Sequence, residues 1–190
     1  MAELAGGTDG AGGANGDLPA LVEEIVHFRE SARDIWELAV TAAEETLADT
    51  DAPPDLVLYV SENDADVTGS LARIVDRLGL PGADHLALSG RDCGNLAPAL
   101  EVASALLGAG RYERVLLVLA DRARAGRRVM ASGLSVFSDG AAACVVTREP
   151  VAAGPQVRVD AIATRTTVRF DAAARRSRAS SPRSSSPRGA

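Results

Sequence analysis

The stretch that decides the fold is residues 87–96, which read Ala-Leu-Ser-Gly-Arg-Asp-Cys-Gly-Asn-Leu. A short apolar run ends here at a polar turn, and a helical pattern begins directly after Asn95. That pattern consists of apolar residues at helical spacing, namely Leu96, Leu100, Val102, Ala103, Leu106 and Leu107. Residues 90–95, here named the Cys93 turn, therefore bring a cysteine to the start of a helix, where backbone N–H groups lack helical partners.

From these residues alone, Cys93 has two interpretations. The partial positive charge at a helix N-terminus can lower the pKa of a cysteine from about 8.5 to about 3.5–7.5, which favours a nucleophilic thiolate. A small cysteine packed beneath a sheet fits the same pattern equally well. Cys93 is therefore the candidate nucleophile, and core packing is the alternative.

Working outward from the turn, apolar runs alternate with helical patterns along the chain. Strands are predicted at residues 55–60, 85–88, 115–120, 141–146 and 156–163, and helices at 17–47, 67–78 and after Asn95. The first helix has a possible break near Glu30 or Ser31. This order predicts an α/β fold with right-handed crossovers and a mostly parallel sheet covered by helices on both faces.

Composition limits the class of protein. The chain has 190 residues, of which 46% are hydrophobic, enough to bury the core of one domain or of half a larger one. No apolar run approaches the roughly 20 residues of a membrane-spanning helix, and no signal-peptide pattern opens the chain. Two cysteines are too few for a disulfide framework and favour a cytoplasmic protein. The absence of lysine excludes a Schiff-base mechanism and a lysine-containing phosphate loop.

Charge and aromatic content argue against nucleic-acid binding by the folded part. The net charge is −6 although the last twenty residues are rich in arginine, and only 3% of residues are aromatic. Four arginines fall between Asp121 and Met130, at positions 122, 124, 127 and 128. They could grip a phosphate-bearing ligand, but a solvated loop is the favoured interpretation.

The remaining polar side chains offer weaker candidates. The acidic cluster Glu62, Asp64 and Asp66 is interpreted as helix-capping charge rather than a cation site, and no metal site is predicted. His27 lacks a partner at ligand spacing and is interpreted as a packing or surface residue. His85 and Cys144 lie in predicted strands, where core packing is expected of both.

An ordered series of motifs resembles a known family. It comprises a buried strand, a helix, a strand ending in Cys93-Gly94 at a helix start, residues 111–118 (Arg-Tyr-Glu-Arg-Val-Leu-Leu-Val) and residues 137–143 (Phe-Ser-Asp-Gly-Ala-Ala-Ala). Over residues 55–147 the chain resembles the N-terminal half of the thiolase-fold condensing enzymes, closest to the ketoacyl-acyl carrier protein synthase III type. The resemblance implies a thiolase-like fold, of which this chain holds one βαβαβ half.

The resemblance also implies a chemistry. Cys93 would accept an acyl group from a coenzyme A thioester, and its backbone N–H would supply part of an oxyanion hole. Condensation with a malonyl-carrier thioester, or transfer to another acceptor, would follow. The partners implied are acyl-coenzyme A as substrate and acyl carrier protein, and no bound cofactor is implied.

The family takes further catalytic groups, a histidine and an asparagine or second histidine, from its C-terminal half. His27 and His85 both precede Cys93 and match no catalytic motif of the family. A lone half would expose a large apolar face, so a homodimer or a complementary second half is expected.

The chain divides into three predicted segments. Residues 1–16 are expected to be disordered, residues 17–165 to form the half domain, and residues 166–190 to form a disordered Arg/Ser-rich tail. The tail could bind acidic partners or RNA, serve as a solubilising end, or reflect out-of-frame translation after a frameshift.

The sequence therefore predicts a ketoacyl synthase III-like acyltransferase, truncated and of doubtful activity alone, in fatty acid or polyketide biosynthesis. The alternative is a noncatalytic thiolase-fold subunit or acyl-carrier-interaction module. A cysteine hydrolase is less favoured, because no histidine follows Cys93 to act as the base.

Overall fold

The computed structural model describes residues 2–3, 27–123, 128, 136–151 and 154–164. The predicted tail at 166–190, the first ten residues of the predicted helix at 17–47 and most of the predicted N-terminal segment 1–16 lie outside these ranges. The three predicted segment boundaries therefore remain predictions.

Nine helices and strands are present in the described ranges. In chain order they are β1 (Ala2–Glu3), β2 (His27–Phe28), α1 (Ile35–Leu47), β3 (Leu56–Val60), α2 (Val67–Arg77), β4 (Asp84–Leu88), α3 (Leu96–Gly108), β5 (Arg114–Asp121) and β6 (Gly140–Thr147). A single 3₁₀ turn, Asp92–Gly94, directly precedes α3. The four predicted strands between residues 55 and 146 are confirmed, as is the helix after Asn95.

A four-stranded sheet in the order β4-β3-β5-β6 forms the centre of the molecule. Strand β3 pairs in parallel with both β4 and β5, and β6 pairs antiparallel with β5. The two short strands β1 and β2 form a separate antiparallel pair. The predicted α/β class and mostly parallel sheet are therefore confirmed.

Helices cover both faces of the sheet. Buried residues of α1 and α2 pack with Val57 and Tyr59 of β3 on one face, and buried residues of α3 pack with Leu56 and Leu58 on the other. Because β3 is buried on both faces, its five residues form a continuous apolar run rather than an alternating one.

The first long helix is shorter than predicted. The periodic apolar pattern predicted helix from residue 17 to 47 with a possible break near Glu30 or Ser31. Within the described residues, positions 27–34 are not helical and α1 begins at Ile35. Asp34 and Glu37 form a capping box, in which the Glu37 Oε2 accepts a hydrogen bond from the Asp34 N–H at 2.7 Å. Because this box satisfies backbone groups at the N-terminus of α1, the helix starts there, although the apolar pattern extends further upstream.

The strand predicted at residues 156–163 is not observed. Residues 154–164 have no regular secondary structure, and Val157 and Val159 are exposed. Thr164 donates a hydrogen bond to the Glu101 carboxylate on α3 at 2.6 Å, so the segment runs to the outer side of that helix. None of the helices in the described ranges has the length and apolar character that a bilayer-spanning segment needs.

Candidate active site

The candidate site lies at the carboxyl ends of β3 and β4. The two strands are parallel neighbours, with Val60 opposite Leu88 at their ends. The helix that follows β3 covers one face of the sheet, and the helix that follows β4 covers the other. Adjacent strands whose connections leave on opposite faces create the usual ligand crevice of open α/β sheets. The Cys93 turn follows β4 directly and therefore lies at this edge of the sheet.

The structure places Cys93 on the 3₁₀ turn before α3, and its side chain is exposed. The Gly94 N–H donates to the Arg91 carbonyl at 2.9 Å and closes the turn. Asn95, which is only 4% exposed, then leads into the first residue of α3. The core-packing alternative for Cys93 is therefore wrong, because the side chain faces solvent at the end of the sheet.

Glu62 connects the end of β3 to the Cys93 turn. Its Oε2 accepts a hydrogen bond from the Gly90 N–H at 2.7 Å and one from the Asn95 Nδ2 at 3.1 Å. Gly90 precedes Cys93 by three residues and Asn95 follows it by two, so a single carboxylate oxygen holds the turn on both sides of the cysteine. Gly90 has a φ of +96°, a conformation that favours glycine.

Asp121, the last residue of β5, fixes the backbone that carries Glu62. Its Oδ1 accepts hydrogen bonds from the Ser61 Oγ at 3.0 Å, the Glu62 N–H at 3.0 Å and the Asn63 N–H at 2.8 Å. The Ser61 N–H also donates to the Leu88 carbonyl of β4 at 3.3 Å. The ends of the three parallel strands are therefore linked to one another at the candidate site.

The acidic cluster after β3 has three separate tasks. Only Asp66 caps a helix, because its Oδ1 accepts from the Gly69 N–H at 3.0 Å. Asp64 accepts from the buried Tyr59 hydroxyl at 2.8 Å, and Glu62 contacts the Cys93 turn. The prediction of capping charge is thus right for one of the three carboxylates. Within the described ranges, no group of three or more His, Cys, Asp or Glu side chains could hold a metal ion.

The arginine-rich loop is not simply solvated. Arg128 pairs with the Asp139 carboxylate at 3.1 Å, and Arg122 lies 3.7 Å from it. The Asp139 side chain is 1% exposed and also accepts from the Ser31 and Ala123 N–H groups, each at 2.9 Å. Arg124 and Arg127 lie outside the described ranges. The two described arginines therefore serve a buried ion pair rather than a free phosphate site.

Two of the packing predictions are wrong. His85 is exposed on β4, an edge strand of the described sheet, rather than buried in the core. Cys144 is exposed on β6, although neighbouring atoms desolvate its sulfur enough to raise the pKa of the thiol. Both residues lie on outer strands of the described four-stranded sheet, whereas the predicted core positions belong to its central strands. His27 lies in β2, the strand that pairs with β1.

Sequence reasoning missed the roles of Glu62, Asn95 and Asp121. A signal for Glu62 and Asp121 was present, because each lies where a parallel strand ends, and such ends meet at one edge of a sheet. The pairing of Glu62 with a turn 28 residues further along the chain has no local signature.

Comparison with known proteins identifies relatives of this fold. Residues 90–166, which include Cys93, match the family model described as 3-oxoacyl-[acyl-carrier-protein (ACP)] synthase III. A search of curated proteins found no match.

Solved structures show the same likeness. The 3-oxoacyl-(acyl carrier protein) synthase III of Pseudomonas aeruginosa PAO1 is 28% identical with a TM-score of 0.52, over 63% of this chain and 38% of that one. The priming β-ketosynthase of the R1128 polyketide pathway is 27% identical with a TM-score of 0.51, over 63% and 37%. The synthase III of Aquifex aeolicus VF5 shares the fold at 23% identity and a TM-score of 0.54, over 64% and 41%.

The chain therefore spans less than half the length of each of these structures. The sequence match and the structural likeness together confirm the resemblance: this chain is similar to the N-terminal half of a thiolase-fold condensing enzyme, and its residues 90–166 carry the pattern of the 3-oxoacyl-[acyl-carrier-protein] synthase III family.

Proposed function

We propose that Cys93 accepts an acyl group from a coenzyme A or carrier thioester, as the nucleophile of a ketoacyl synthase III-like acyltransferase. The observation that carries the proposal is the position of Cys93, exposed on a tethered turn at the carboxyl ends of parallel strands, within the segment that matches the family model. The exposed Cys93 side chain leaves the thiol open to a thioester substrate.

In the proposed step, the Cys93 thiolate attacks the thioester carbonyl carbon and forms a tetrahedral intermediate. Its collapse breaks the carbon–sulfur bond to coenzyme A, which leaves as a thiolate and takes up the proton that Cys93 gave up. The acyl group then remains on Cys93 as a new thioester. Backbone N–H groups at the start of α3 are suited to stabilise the oxyanion of the intermediate.

We assign only this first half-reaction to residues of the present chain. Condensation needs donors that stabilise an enolate, and the resemblance gives those roles to a histidine and an asparagine or second histidine outside the matched motifs. Both histidines of the 190 residues precede Cys93, and His85 is exposed on β4. Condensation, with acyl carrier protein as the second substrate, therefore needs catalytic groups other than His27 and His85.

A partner is part of the proposal. Helix α3 is apolar around most of its circumference, with Leu96 46% exposed and Leu100, Val102 and Leu106 half-buried. A helix of this character usually lies in the interior of a larger core. A homodimer, or a complementary second half, would cover it, and light scattering of the purified chain tests this by its mass in solution.

The proposal includes a cytoplasmic location, because both cysteines are free thiols, as expected in a reducing compartment.

Acyl adduct formation tests the proposed function. The purified chain is incubated with acetyl-coenzyme A and with longer acyl-coenzyme A substrates, and its intact mass is measured. The wild type and Cys144→Ser should gain one acyl group, whereas Cys93→Ser should gain none. A wild type that stays unmodified with every acyl donor contradicts the proposal.

The noncatalytic alternative, a thiolase-fold subunit or acyl-carrier-interaction module, is supported by one observation. Helix α3 is apolar and its Leu96 is 46% exposed, which suits a subunit that packs against a partner. Binding of acyl carrier protein by a chain that never becomes acylated would favour this alternative.

A further inference from the structure

We propose that Glu62 is a positioning residue for Cys93, because its carboxylate sets the geometry of the turn that carries the thiol. The inference rests on the proposed function in so far as that turn presents the acyl-accepting group. The motifs that carry the family resemblance do not include Glu62, and the sequence pattern marked it only as helix-capping charge.

Glu62 bridges the turn. Its Oε2 accepts from the Gly90 N–H at 2.7 Å and from the Asn95 Nδ2 at 3.1 Å, so the same oxygen binds the turn before and after Cys93. Charged acceptors make shorter and stronger hydrogen bonds than neutral ones. The Glu62 carboxylate therefore holds the Gly90 N–H and the Asn95 side chain close to one another.

Glu62 is itself anchored to the sheet. The Asp121 carboxylate receives the Glu62 N–H and the Asn63 N–H, at 3.0 and 2.8 Å, and the Ser61 side chain is buried beside them. Asp121 ends β5, and Ser61 follows β3. A continuous chain of contacts thus leads from the rigid centre of the sheet to the nucleophile.

The part of the turn that carries Cys93 projects into solvent. The Cys93 and Gly94 side of the turn is exposed, and the Arg91 carbonyl to Gly94 N–H bond at 2.9 Å closes only the 3₁₀ turn itself. Gly90 has no other residue within 4 Å of the position that a Cβ would occupy. The Glu62 carboxylate is therefore a direct contact between this exposed turn and the end of β3.

The test compares four variants with the wild type. Glu62→Ala removes the acceptor, Glu62→Gln keeps an oxygen at the same reach, and Glu62→Asp keeps the charge but shortens the reach by one methylene. Glu44→Ala, which removes an exposed carboxylate from α1, is the matched control. The first readout is hydrogen exchange of the Gly90 amide by NMR, and the second is the rate of Cys93 acylation by acetyl-coenzyme A.

We expect Glu62→Ala to speed Gly90 exchange by about tenfold or more, because the amide loses a charged acceptor. The same variant should slow Cys93 acylation by about tenfold or more, because the thiol is no longer held in place. Glu62→Gln keeps an acceptor oxygen without the charge, so both rates should fall between those of Glu62→Ala and the wild type. Glu62→Asp should behave like Glu62→Ala, and it takes the place of that variant if the alanine chain does not fold.

The outcomes separate the two proposals. If Glu62→Ala and Glu62→Asp match Glu44→Ala in Gly90 exchange and in Cys93 reactivity, the positioning role is wrong while the proposed function stands. If the wild type takes no acyl group, the proposed function fails by itself, and the rate of Cys93 alkylation by iodoacetamide replaces acylation as the second readout. A merely structural role would lower the melting temperature of both Glu62→Ala and Glu62→Gln without rescue by the latter, and that result would also overturn the inference.

Discussion

Replacement of Asp139 by asparagine should destabilise the fold, because this buried carboxylate holds together segments that are far apart in the chain. It pairs with Arg128 at 3.1 Å and accepts from the Ser31 and Ala123 N–H groups at 2.9 Å each. Asparagine keeps the shape of the side chain but removes its charge. Arg128 would then lose its buried partner.

The magnitude follows from the exposure of the pair. Removal of one member of a buried ion pair costs about 3–5 kcal/mol. The Asp139 side chain is 1% exposed, but that of Arg128 is 19% exposed and keeps the Glu30 carboxylate at 3.0 Å. We therefore expect Asp139→Asn to lower the free energy of unfolding by about 2–3 kcal/mol at neutral pH.

The pH dependence supplies an independent check. Burial by itself would raise the pKa of Asp139, but the hydrogen bonds from Arg128, Ser31 and Ala123 outweigh burial, and the pKa is lowered. A lowered pKa contributes stability that is fully present above the unfolded value of about 3.9 and is lost as the pH falls through the folded value. The difference between the wild type and Asp139→Asn should therefore shrink below about pH 4.

Urea unfolding followed by circular dichroism, at neutral pH and at acidic pH, measures both quantities. Asp76→Asn, which removes an exposed carboxylate from α2, is the matched control and should change the free energy of unfolding by less than about 0.5 kcal/mol. An Asp139→Asn chain as stable as this control at neutral pH would refute the buried ion pair as a source of stability.

Three further outcomes are expected. Iodoacetamide at neutral pH should modify Cys93 well ahead of Cys144, because desolvation raises the pKa of the Cys144 thiol, and equal rates by peptide mapping would contradict this. Gly90→Ala should lower the free energy of unfolding by about 1–2 kcal/mol, because its φ is +96° and no neighbour crowds the new Cβ; an unchanged denaturation midpoint would argue against this turn geometry. Tyr59→Phe should lower the free energy of unfolding by about 1.5–3 kcal/mol in the same assay, because the hydroxyl donates to the Asp64 carboxylate at 2.8 Å. The rate at which iodoacetamide alkylates Cys93 should be the same in this variant as in the wild type.

The architecture could be predicted from the sequence because its signals are local. The buried strand β3 is five consecutive apolar residues, and α3 follows directly from the spacing of its leucines and alanines. The order of strands and helices between residues 55 and 121 then predicts the parallel pairing of β3 with β4 and β5, whereas the antiparallel β6 was not predicted. The place of Cys93 between β4 and α3 makes it a candidate nucleophile, although that position alone fits core packing equally well.

The start of α1 was harder to predict because two local signals compete. The apolar pattern extends upstream of Ile35, whereas Asp34 and Glu37 have the spacing of a capping box. The observed helix follows the box. A periodic stripe shows which face a helix would bury, but satisfied backbone groups determine where the helix begins.

The contacts of the candidate site could not be predicted, because they join residues that are distant in the chain. Glu62 reaches Gly90 across 28 positions, and Asp139 reaches Ser31 across 108. Such pairs depend on the register of the sheet, which places strand ends side by side. For the same reason, the sequence predicted that Arg128 belongs to a solvated loop, although it contacts the buried Asp139 carboxylate.

The stoichiometry of the first turnover tests the central claim most directly. The chain is mixed with excess radiolabelled acetyl-coenzyme A, and free coenzyme A and protein-bound label are measured on the same samples. The account predicts one coenzyme A released per chain, with an equal amount of label on the peptide that contains Cys93 and none on Cys93→Ser. Release of coenzyme A without label on that peptide, or label that persists in Cys93→Ser, would contradict it.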